Sequence, residues 1–268
     1  MDKTTAAPPP RARRVIAGIE TDVIEIGSGR PLLFLHSGEG PATPSHRYLH
    51  ILAKTHRVIA PWHPGFGYTD IPPDFRDVGD LAYFHLELAQ HYDLKDAVLC
   101  GASFGGWIAA EMAVRNTQRF SSLVLLDALG IKVSGRETRD IADIFAMPGA
   151  ELVRTSYVQP GIAARDTTHM EEADLAAVVR AREALCYYGW QPYMHNPQLR
   201  RWLRRIRIPT LVLWGAQDRI AEPEYGRAYA ASIPGARFAL IDNAGHYPHI
   251  EQPETFARHL ADFAMAPA

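Results

Sequence analysis

Six short apolar runs, each followed by a stretch with the residue spacing of a helix, constrain the fold of this chain more than any other feature. In chain order the runs read PLLFLHS, RVIAP, DAVLCG, SSLVLLDA, IPTLVLWG and ARFALID. A nearly continuous apolar run is typical of a strand that is buried on both faces of a sheet. Strands that alternate with helices form parallel βαβ units, whose crossovers are right-handed in nearly every case. The sequence therefore predicts an α/β protein with a mostly parallel sheet.

The N-terminal part of the chain predicts two further strands, RVIAGIE and DVIEI. Apolar and polar residues alternate in both, as they do in antiparallel strands that expose one face. With the six apolar runs they predict an eight-stranded sheet that begins antiparallel and continues parallel, flanked by helices. The helices are expected near residues 45–54, 78–91, from Phe104 onward, 222–232 and 253–263.

The alternation of strands and helices breaks between residues 129 and 207, where apolar residues recur only at helical spacing. Within EEADLAAVVRAREALCYYGW the residues that recur at this spacing are Leu175, Val178, Val179, Ala181, Leu185 and Cys186. We interpret 129–207 as an inserted helical cap, and 13–128 and 208–268 as the two parts of a core domain. Residues 1–12, which contain AAPPP, are expected to form a disordered tail.

Composition limits the classes of partner. The chain has 268 residues, of which 47% are hydrophobic, and its formal net charge of -2 gives no strong field to attract nucleic acid or a membrane. Cys100 and Cys186 lie far apart and outside any Cys-x-x-Cys spacing, so neither a disulfide framework nor a zinc site is predicted. No run approaches the roughly 18 apolar residues of a membrane span. We expect a cytoplasmic protein without a cofactor.

The serine of GASFG lies where an apolar strand passes directly into a helix. Gly101 and Gly105 have no side chains, so the chain can turn sharply and the strand and helix can pack closely. A G-x-S-x-G sequence in this setting is typical of a nucleophile elbow, which holds its serine in a strained and exposed position. The N–H groups and the dipole of the new helix then face negative charge that develops near Ser103. The alternative interpretation is a serine that caps a helix after a glycine-rich turn.

A serine hydroxyl is a weak nucleophile at neutral pH, and it needs a histidine base that an acid holds in the right tautomer. LVLWGAQDRI places Asp218 just after one strand, and FALIDNAGHYPH places His246 just after the last. Both are therefore expected at the same edge of the sheet as Ser103. Asp127, at the end of SSLVLLDA, also follows a strand and is the alternative acid. We favour Asp218.

These pieces resemble the α/β-hydrolase superfamily along nearly the whole chain. The resemblance is carried by PLLFLHSG, APWHPGFGYTD, GASFGGW, WGAQDRIAEPE and NAGHYPHIEQPETF, with the order serine, acid, histidine. It implies a serine hydrolase in which Ser103 is the nucleophile, Asp218 the acid and His246 the base. It also implies an oxyanion hole made by the backbone N–H groups of Phe104 and Gly38.

Two positions depart from the usual pattern of that superfamily. Ser37 stands where glycine is usual in the loop before Gly38, a change that affects the path of the loop. Ala102 replaces the more usual histidine beside the nucleophile, and this change is expected to affect packing more than chemistry.

The remaining polar candidates have structural interpretations. His36 is expected to be a hydrogen-bonding group ahead of the oxyanion loop, and His63 a turn residue near the mouth of the site. His249 and Glu251 follow the proposed base closely, but no His-Glu-x-x-His or Cys/His cluster accompanies them, so no metal site is predicted. The segment 200–207 contains five arginines and is interpreted as a solvated helical face.

Substrate choice is expected to depend on the cap, which is rich in aromatic side chains. The predicted substrate-binding residues are Tyr188 and Trp190 in the cap and Tyr247 beside the base. A cleft lined in this way is apolar, so the predicted partner is a small apolar or aromatic carbonyl compound.

The sequence leaves three functions open. The first, which we favour, is hydrolysis of a carboxylic ester or lactone through an acyl-enzyme, because it needs only the triad, the oxyanion hole and an apolar pocket. The second is hydrolysis of a carbon–carbon bond in diketo-type ring-fission products. It is indicated by LHSGEGPA and by the pair His246 and Tyr247, which resemble the hydrolases that act on such compounds. The third is a noncatalytic receptor for a small molecule.

Overall fold

The computed structural model describes residues 9–40, 43–163 and 170–265. Its strands are β1 (Arg11–Ile16), β2 (Ile19–Ile26), β3 (Arg30–Leu35), β4 (His56–Pro61), β5 (Ala97–Ala102), β6 (Phe120–Leu126), β7 (Thr210–Gly215) and β8 (Arg237–Ile241). They form one eight-stranded sheet with the order β1-β2-β4-β3-β5-β6-β7-β8. β2 pairs antiparallel with both of its neighbours, and the other pairings are parallel. The predicted mostly parallel sheet is thus confirmed.

The antiparallel edge of the sheet is a hairpin. Ala17 and Gly18 join β1 to β2 in a tight turn, with φ values of 48° and 82°. The predicted strand RVIAGIE therefore contains this turn. β1 begins at Arg11, which corrects the predicted boundary of the tail at residue 12, and residues 1–8 lie outside the described part of the chain.

Helices cover both faces of the sheet. They are α1 (Arg47–Leu52), α2 (Val78–His91), α3 (Phe104–Arg115), α4 (Gly149–Ser156), α5 (Glu172–Gly189), α6 (Leu199–Trp202), α7 (Pro223–Ala231), α8 (Pro248–Glu251) and α9 (Pro253–Met265). Side chains alternate along β3, so that Leu33 and Leu35 pack with α2, α3 and α7, whereas Leu32 and Phe34 pack with α1 and α9. None of the helices in the described ranges combines the length and apolar character needed to cross a lipid bilayer.

The segment 129–207 is inserted between β6 and β7 and carries α4, α5 and α6. Its described residues, which exclude 164–169, add no strand to the sheet. The arginines of its last part, 200–207, are exposed, whereas Leu199, Leu203 and Ile206 are fully buried. This helical face is therefore solvated, as the amphipathic pattern predicts.

The buried face of α5 differs from the one that its larger apolar residues predict. Leu175 and Val179 are 37% and 57% exposed. The face toward the core consists of Ala177, Ala181, Ala184, Leu185 and Tyr188. The reason is steric, because a Cβ atom placed on Gly40 would lie only 2.9 Å from the Cβ of Ala181. Small residues on both sides let α5 approach the loops of the core closely.

Candidate active site

Ser103 stands at the sharp turn between β5 and α3. Its φ of 53° and ψ of -114° form a conformation that a residue with a side chain adopts only under strain. A Cβ atom on Gly101 would lie 2.2 Å from the Gly105 carbonyl oxygen, and one on Gly105 would lie 2.3 Å from the Leu35 carbonyl oxygen. Both glycines of GASFG are thus required by close contacts. The Ser103 side chain makes no capping hydrogen bond in the described structure, which argues against the helix-cap alternative.

The structure brings Ser103, His246 and Asp218 into one hydrogen-bonded chain. Ser103 Oγ lies 2.7 Å from His246 Nε2, and His246 Nδ1 lies 2.8 Å from Asp218 Oδ2. The three residues are 3%, 2% and 2% exposed. In this arrangement the histidine can accept the serine proton on Nε2 while its Nδ1–H donates to the carboxylate.

Asp218 and Asp127 both approach the histidine, and their hydrogen bonds distinguish them. Asp218 Oδ1 accepts the backbone N–H groups of residues 220–221 at 2.8 and 3.2 Å, which leaves Oδ2 for His246. Asp127 Oδ1 accepts the Gly215 N–H at 2.8 Å. The buried Oδ2 of Asp127 has no partner among the described residues. The structure therefore gives the histidine contact to Asp218.

The charge on Asp218 affects its neighbour. Burial and this nearby carboxylate raise the pKa of Asp127 well above the usual value of an aspartate. A raised pKa favours the uncharged form of Asp127. Asp127 therefore differs from Asp218 both in its hydrogen-bond partners and in this tendency to hold a proton.

The loop that carries His246 is bonded to the inserted segment. The His246 N–H donates to the Ser156 carbonyl oxygen at 2.8 Å. The Glu251 carboxylate accepts the Gly245 N–H at 2.7 Å and the Gln159 N–H at 2.9 Å. Glu251 therefore has a structural role here, and these bonds fix the histidine loop relative to the end of α4.

The two predicted oxyanion donors lie on elements that pack directly together. Phe104 is the first residue of α3, so its N–H has no acceptor within the helix. Gly38 belongs to the loop after β3, whose Leu35 carbonyl presses against Gly105 of α3. Neither N–H has a hydrogen-bond partner among the described residues. Leu185 of α5 covers the loop, because a Cβ atom on Gly38 would lie 2.7 Å from Leu185 Cδ2.

His36 and His63 are buried beside this loop, with ring centroids 3.7 Å apart. Burial lowers the pKa of His36 to about 4. Burial, together with the neighbouring His36 and His85, lowers the pKa of His63 well below its usual value. His63 is fully buried, so it lies deeper than the turn residue at the site mouth that its sequence position predicts.

Two of the three predicted substrate-binding residues lie beside the site. The buried Tyr188 ring lies 6.5 Å from the Phe104 ring, and the Tyr247 ring lies 5.0 Å from that of His246. Trp190 is 56% exposed and packs against another aromatic ring of the inserted segment. A residue two positions beyond Tyr188 points roughly 200° around the helix axis, so Trp190 does not share the face of Tyr188, and its role in substrate binding stays a prediction.

The structure adds two residues to the site that sequence reasoning did not assign. Tyr157 is buried, its hydroxyl donates to Glu39 at 3.0 Å, and its ring lies 5.0 Å from that of Tyr247. The only sequence signal for Tyr157 is its aromatic character within the inserted segment. His85 of α2 bonds to His63, and its signal is a histidine at a buried helical position.

One group of side chains in the described ranges has metal-type ligand atoms close together. These atoms, from Asp127, Asp218 and His246, lie within 4.8 Å of one another. Both ring nitrogens of His246 are already engaged, one with Ser103 and the other with Asp218. The group therefore offers no free imidazole lone pair to a metal ion.

Known proteins share this sequence pattern. A model of the alpha/beta hydrolase family matches residues 32–259. The chain is 29% identical to 2-hydroxymuconate semialdehyde hydrolase of Pseudomonas sp. (strain CF600), over 93% of this chain and 92% of the relative. It is 28% identical to 2-hydroxy-6-oxo-2,4-heptadienoate hydrolase of Pseudomonas putida, over 95% and 96% of the two chains.

Solved structures show the same fold. A meta-cleavage product hydrolase from Pseudomonas fluorescens IP01 has a TM-score of 0.73 and 22% identity, covering 94% of this chain and 97% of that one. A putative lipase from Acinetobacter baumannii AYE has a TM-score of 0.79 and 22% identity, covering 97% and 92%. The family match spans most of the chain, from β3 into α9, and this protein belongs to the alpha/beta hydrolase family.

Proposed function

We propose that this protein is a serine hydrolase in which Ser103 is the nucleophile, His246 the general base and Asp218 the acid that orients the base. The observation that carries the proposal is the unbroken chain of hydrogen bonds, 2.7 and 2.8 Å long, from Ser103 Oγ through His246 to Asp218. His246 takes the hydroxyl proton as Oγ attacks a carbonyl carbon, and Asp218 stabilises the imidazolium that forms.

The negative charge on the attacked carbonyl oxygen is held by the N–H groups of Phe104 and Gly38. Both groups are free of described protein acceptors, and Phe104 also stands at the positive end of the α3 dipole. A preorganised donor of this kind is worth about 3–4 kcal/mol to the transition state. The intermediate then collapses, His246 protonates the leaving group, and a water molecule activated by His246 releases the acyl group from Ser103.

The bond broken is a carbon–carbon bond next to a carbonyl group. Support comes from relatives that align over nearly the whole chain and are described as hydrolases of 2-hydroxymuconate semialdehyde and of 2-hydroxy-6-oxo-2,4-heptadienoate. This changes the order that the sequence alone suggested, in which ester or lactone hydrolysis came first.

The chemistry of a 2-hydroxy-6-oxo-dienoate shows how the same residues could cleave such a bond. Moving the 2-hydroxyl proton to C5 gives a ketone at C2 that is conjugated with the C3–C4 double bond. When Ser103 has added to C6, breaking the C5–C6 bond sends its electron pair into that conjugated ketone. The C6 fragment stays on Ser103 as an ester, and water then converts it to a carboxylic acid.

Ester or lactone hydrolysis is the second candidate. It is favoured by the apolar and aromatic side chains beside Gly38, Phe104 and His246, which are Leu185, Tyr188 and Tyr247 respectively. An ester needs less from the site, because an alkoxide leaving group requires only one proton from His246. Both candidates use a small carbonyl compound as substrate.

The segment 129–207 acts as a cap over the site. Its Leu185 covers Gly38, its Tyr188 faces the Phe104 ring, and its α4 end is bonded to the histidine loop. Ser103 itself is 3% exposed, so its side chain lies at the bottom of the site rather than on the surface.

The experiment that tests the proposal is a side-by-side assay of a 2-hydroxy-6-oxo-dienoate and a panel of p-nitrophenyl esters. Wild type is compared with Ser103→Ala and with Ser122→Ala, a matched change at another buried serine on β6. We expect Ser103-dependent turnover of the dienoate at a higher kcat/KM than that of any ester, and normal activity for Ser122→Ala.

Each other outcome selects a different function. Turnover of esters alone, lost in Ser103→Ala, would replace carbon–carbon cleavage by ester hydrolysis. A folded wild-type protein that turns over neither class, and whose Ser103 does not react with a fluorophosphonate, would favour the noncatalytic receptor.

A further inference from the structure

Three histidines that the proposed reaction does not use form a buried cluster behind the oxyanion loop. His36, His63 and His85, here termed the histidine chain, are 7%, 0% and 0% exposed. His63 Nδ1 lies 2.8 Å from His85 Nε2, and His63 Nε2 lies 3.0 Å from the His36 carbonyl oxygen. The His63 backbone N–H donates to His36 Nε2 at 3.1 Å. His63 therefore bonds to both the backbone and the ring of His36.

These bonds determine which nitrogen of each ring carries the proton. His63 Nε2 faces a carbonyl oxygen and must donate, so its Nδ1 accepts from His85 Nε2–H. His36 Nε2 accepts a backbone N–H, so its proton lies on Nδ1, 2.8 Å from the Ser37 carbonyl oxygen. All three rings are neutral, in agreement with the burial that lowers the pKa of His85 to about 3.

The histidine chain contacts both sides of the proposed oxyanion hole. The His36 carbonyl oxygen would lie 2.4 Å from a Cβ atom on Gly105, so the loop leading to Gly38 is pressed against the start of α3. The His63 ring stacks on the His36 ring at 3.7 Å and meets the Phe104 ring edge-on at 6.1 Å. The loop is thus held by α3 on one side and by His63 on the other.

We propose that His63 is a positioning residue that holds the loop 36–38 so that the Gly38 N–H points at the oxyanion. This inference rests on the proposed function, because it requires Gly38 to be a donor. Hydrogen bonds to a carbonyl and to a ring nitrogen fix direction as well as distance, which apolar contacts do not. An oxyanion donor stabilises the transition state only when its N–H is placed accurately. Directional hydrogen bonds to His36 can fix the orientation of the loop to that accuracy.

The cost of the histidine chain supports a role beyond packing. Burying an imidazole removes its polar atoms from water, and this is unfavourable unless every nitrogen finds a partner. His85 Nδ1 is buried and has no hydrogen-bond partner among the described residues. Apolar side chains would fill this space at a lower cost in free energy, yet they could not bond to the His36 carbonyl.

The test is the rate at which a fluorophosphonate labels Ser103. This reaction needs the nucleophile, the base and the oxyanion hole, and it does not depend on which natural substrate is correct. His63→Ala removes the bond to the His36 carbonyl, and we expect labelling to slow by roughly 10- to 100-fold, because misplacing a group by about 1 Å can cost about 10²-fold. His63→Gln restores an amide N–H near the Nε2 position and should recover most of the rate.

The matched control is His56→Asn, which replaces a buried histidine at the start of β4, at the opposite edge of the sheet from Ser103. Its Ser103 should be labelled at a rate within about twofold of wild type, because a substitution far from the site usually acts independently of the residues in the site. Circular dichroism and Tm establish that each variant is folded. If His63→Ala does not fold, His85→Leu serves instead: it frees His63 Nδ1 and should slow labelling by a smaller factor, about 3- to 10-fold.

A second readout separates positioning from simple loss of structure. On whichever substrate wild type turns over, His63→Ala should lower kcat and leave KM within about twofold, because the donor acts on the transition state. A folded His63→Ala protein that labels as fast as wild type overturns the proposal, and so does a loss in His63→Gln as large as in His63→Ala. Absence of labelling in wild type would instead overturn the serine hydrolase itself.

Discussion

At the scale of single residues, Ser103 shows how the site stores strain. A positive φ at a residue with a side chain costs about 1–3 kcal/mol and persists only where neighbouring contacts enforce it. Here the close approaches at Gly101 and Gly105 enforce it. This strained conformation places Oγ 2.7 Å from His246 Nε2, where the proposed reaction needs it.

The first prediction concerns the nucleophile and the base. Ser103→Ala and His246→Ala should each lower kcat by roughly 10³-fold or more, because the members of a triad act as a unit. Ser103→Ala removes one oxygen atom, so its Tm should stay close to that of wild type. Steady-state kinetics and thermal melts measure both effects. Near-normal turnover by either folded variant would contradict the mechanism.

The second prediction separates the two aspartates. Asp218→Asn should lower kcat by about 10³- to 10⁴-fold, because an amide at this position favours the wrong histidine tautomer. Asp127→Asn should keep most of the activity, since Asn resembles an uncharged aspartic acid and its Oδ1 can still accept the Gly215 N–H. The two variants have the same change in composition, and kcat is compared at matched fractions folded. The reverse ranking would assign the acid to Asp127.

Chain order and strand ends are enough to predict Ser103, Asp218 and His246, because a parallel sheet brings the carboxyl ends of its strands to one edge. They are not enough for His85. It lies 22 residues beyond His63, on a helix, and its bond to that ring exists only once α2 has packed on the sheet. Contacts of this kind depend on distances between elements, which a single sequence does not contain.

At the scale of elements, helices with strong local signals match their predicted bounds. α2 runs from Val78 to His91 as predicted, because Asp77 accepts the Gly79 N–H and Asp80 accepts the Asp77 N–H in a capping box. α5 has no such cap bond, and its large residues do not mark its buried face. Its orientation depends on alanines that fit glycines in distant loops, a complementarity that periodicity cannot show.

The third prediction tests this packing of α5. Ala181→Leu would push a larger side chain against Gly40, where the contact is already tight, and should lower the free energy of unfolding by about 1–3 kcal/mol. It should also lower kcat, because α5 covers the Gly38 loop. Val179→Leu on the exposed side of α5 is the control and should stay within about 0.5 kcal/mol. Urea unfolding measures the free energy of unfolding of both variants. Equal losses in the two would contradict the assignment of Ala181 to the buried face of α5 and of Val179 to the exposed face.

At the scale of the whole molecule, burial keeps several histidines neutral. It lowers the pKa of His36 to about 4 and those of His85 and His249 to about 3, and it also lowers that of His63. An imidazole with a lowered pKa in the folded protein takes up its proton first in the unfolded chain. Its contribution to stability is fully present above the unfolded pKa of about 6.5 and is lost as the pH falls toward the folded value.

Two buried carboxyl groups have the opposite effect on how stability changes with pH. Burial raises the pKa of Asp127 and of Glu251, so the folded protein holds protons that the unfolded chain releases above a pH of about 4. Their contribution is present below that pH and is lost as the pH rises through their folded pKa values. Within the described ranges these two carboxyl groups are fewer than the four buried histidines named above, so we expect the histidines to set the sign with which the free energy of unfolding depends on pH.

The fourth prediction is therefore that the free energy of unfolding falls as the pH is lowered from about 6.5 to about 4, by about 1.4 kcal/mol per pH unit for each net proton. Urea unfolding at constant ionic strength measures the slope. His249→Phe keeps an aromatic ring against Phe34 and Tyr48 but cannot titrate, so it should reduce the slope by about one proton. Stability that rises as the pH falls, or a slope in His249→Phe equal to that of wild type, would show that the folded protein does not keep these imidazoles neutral.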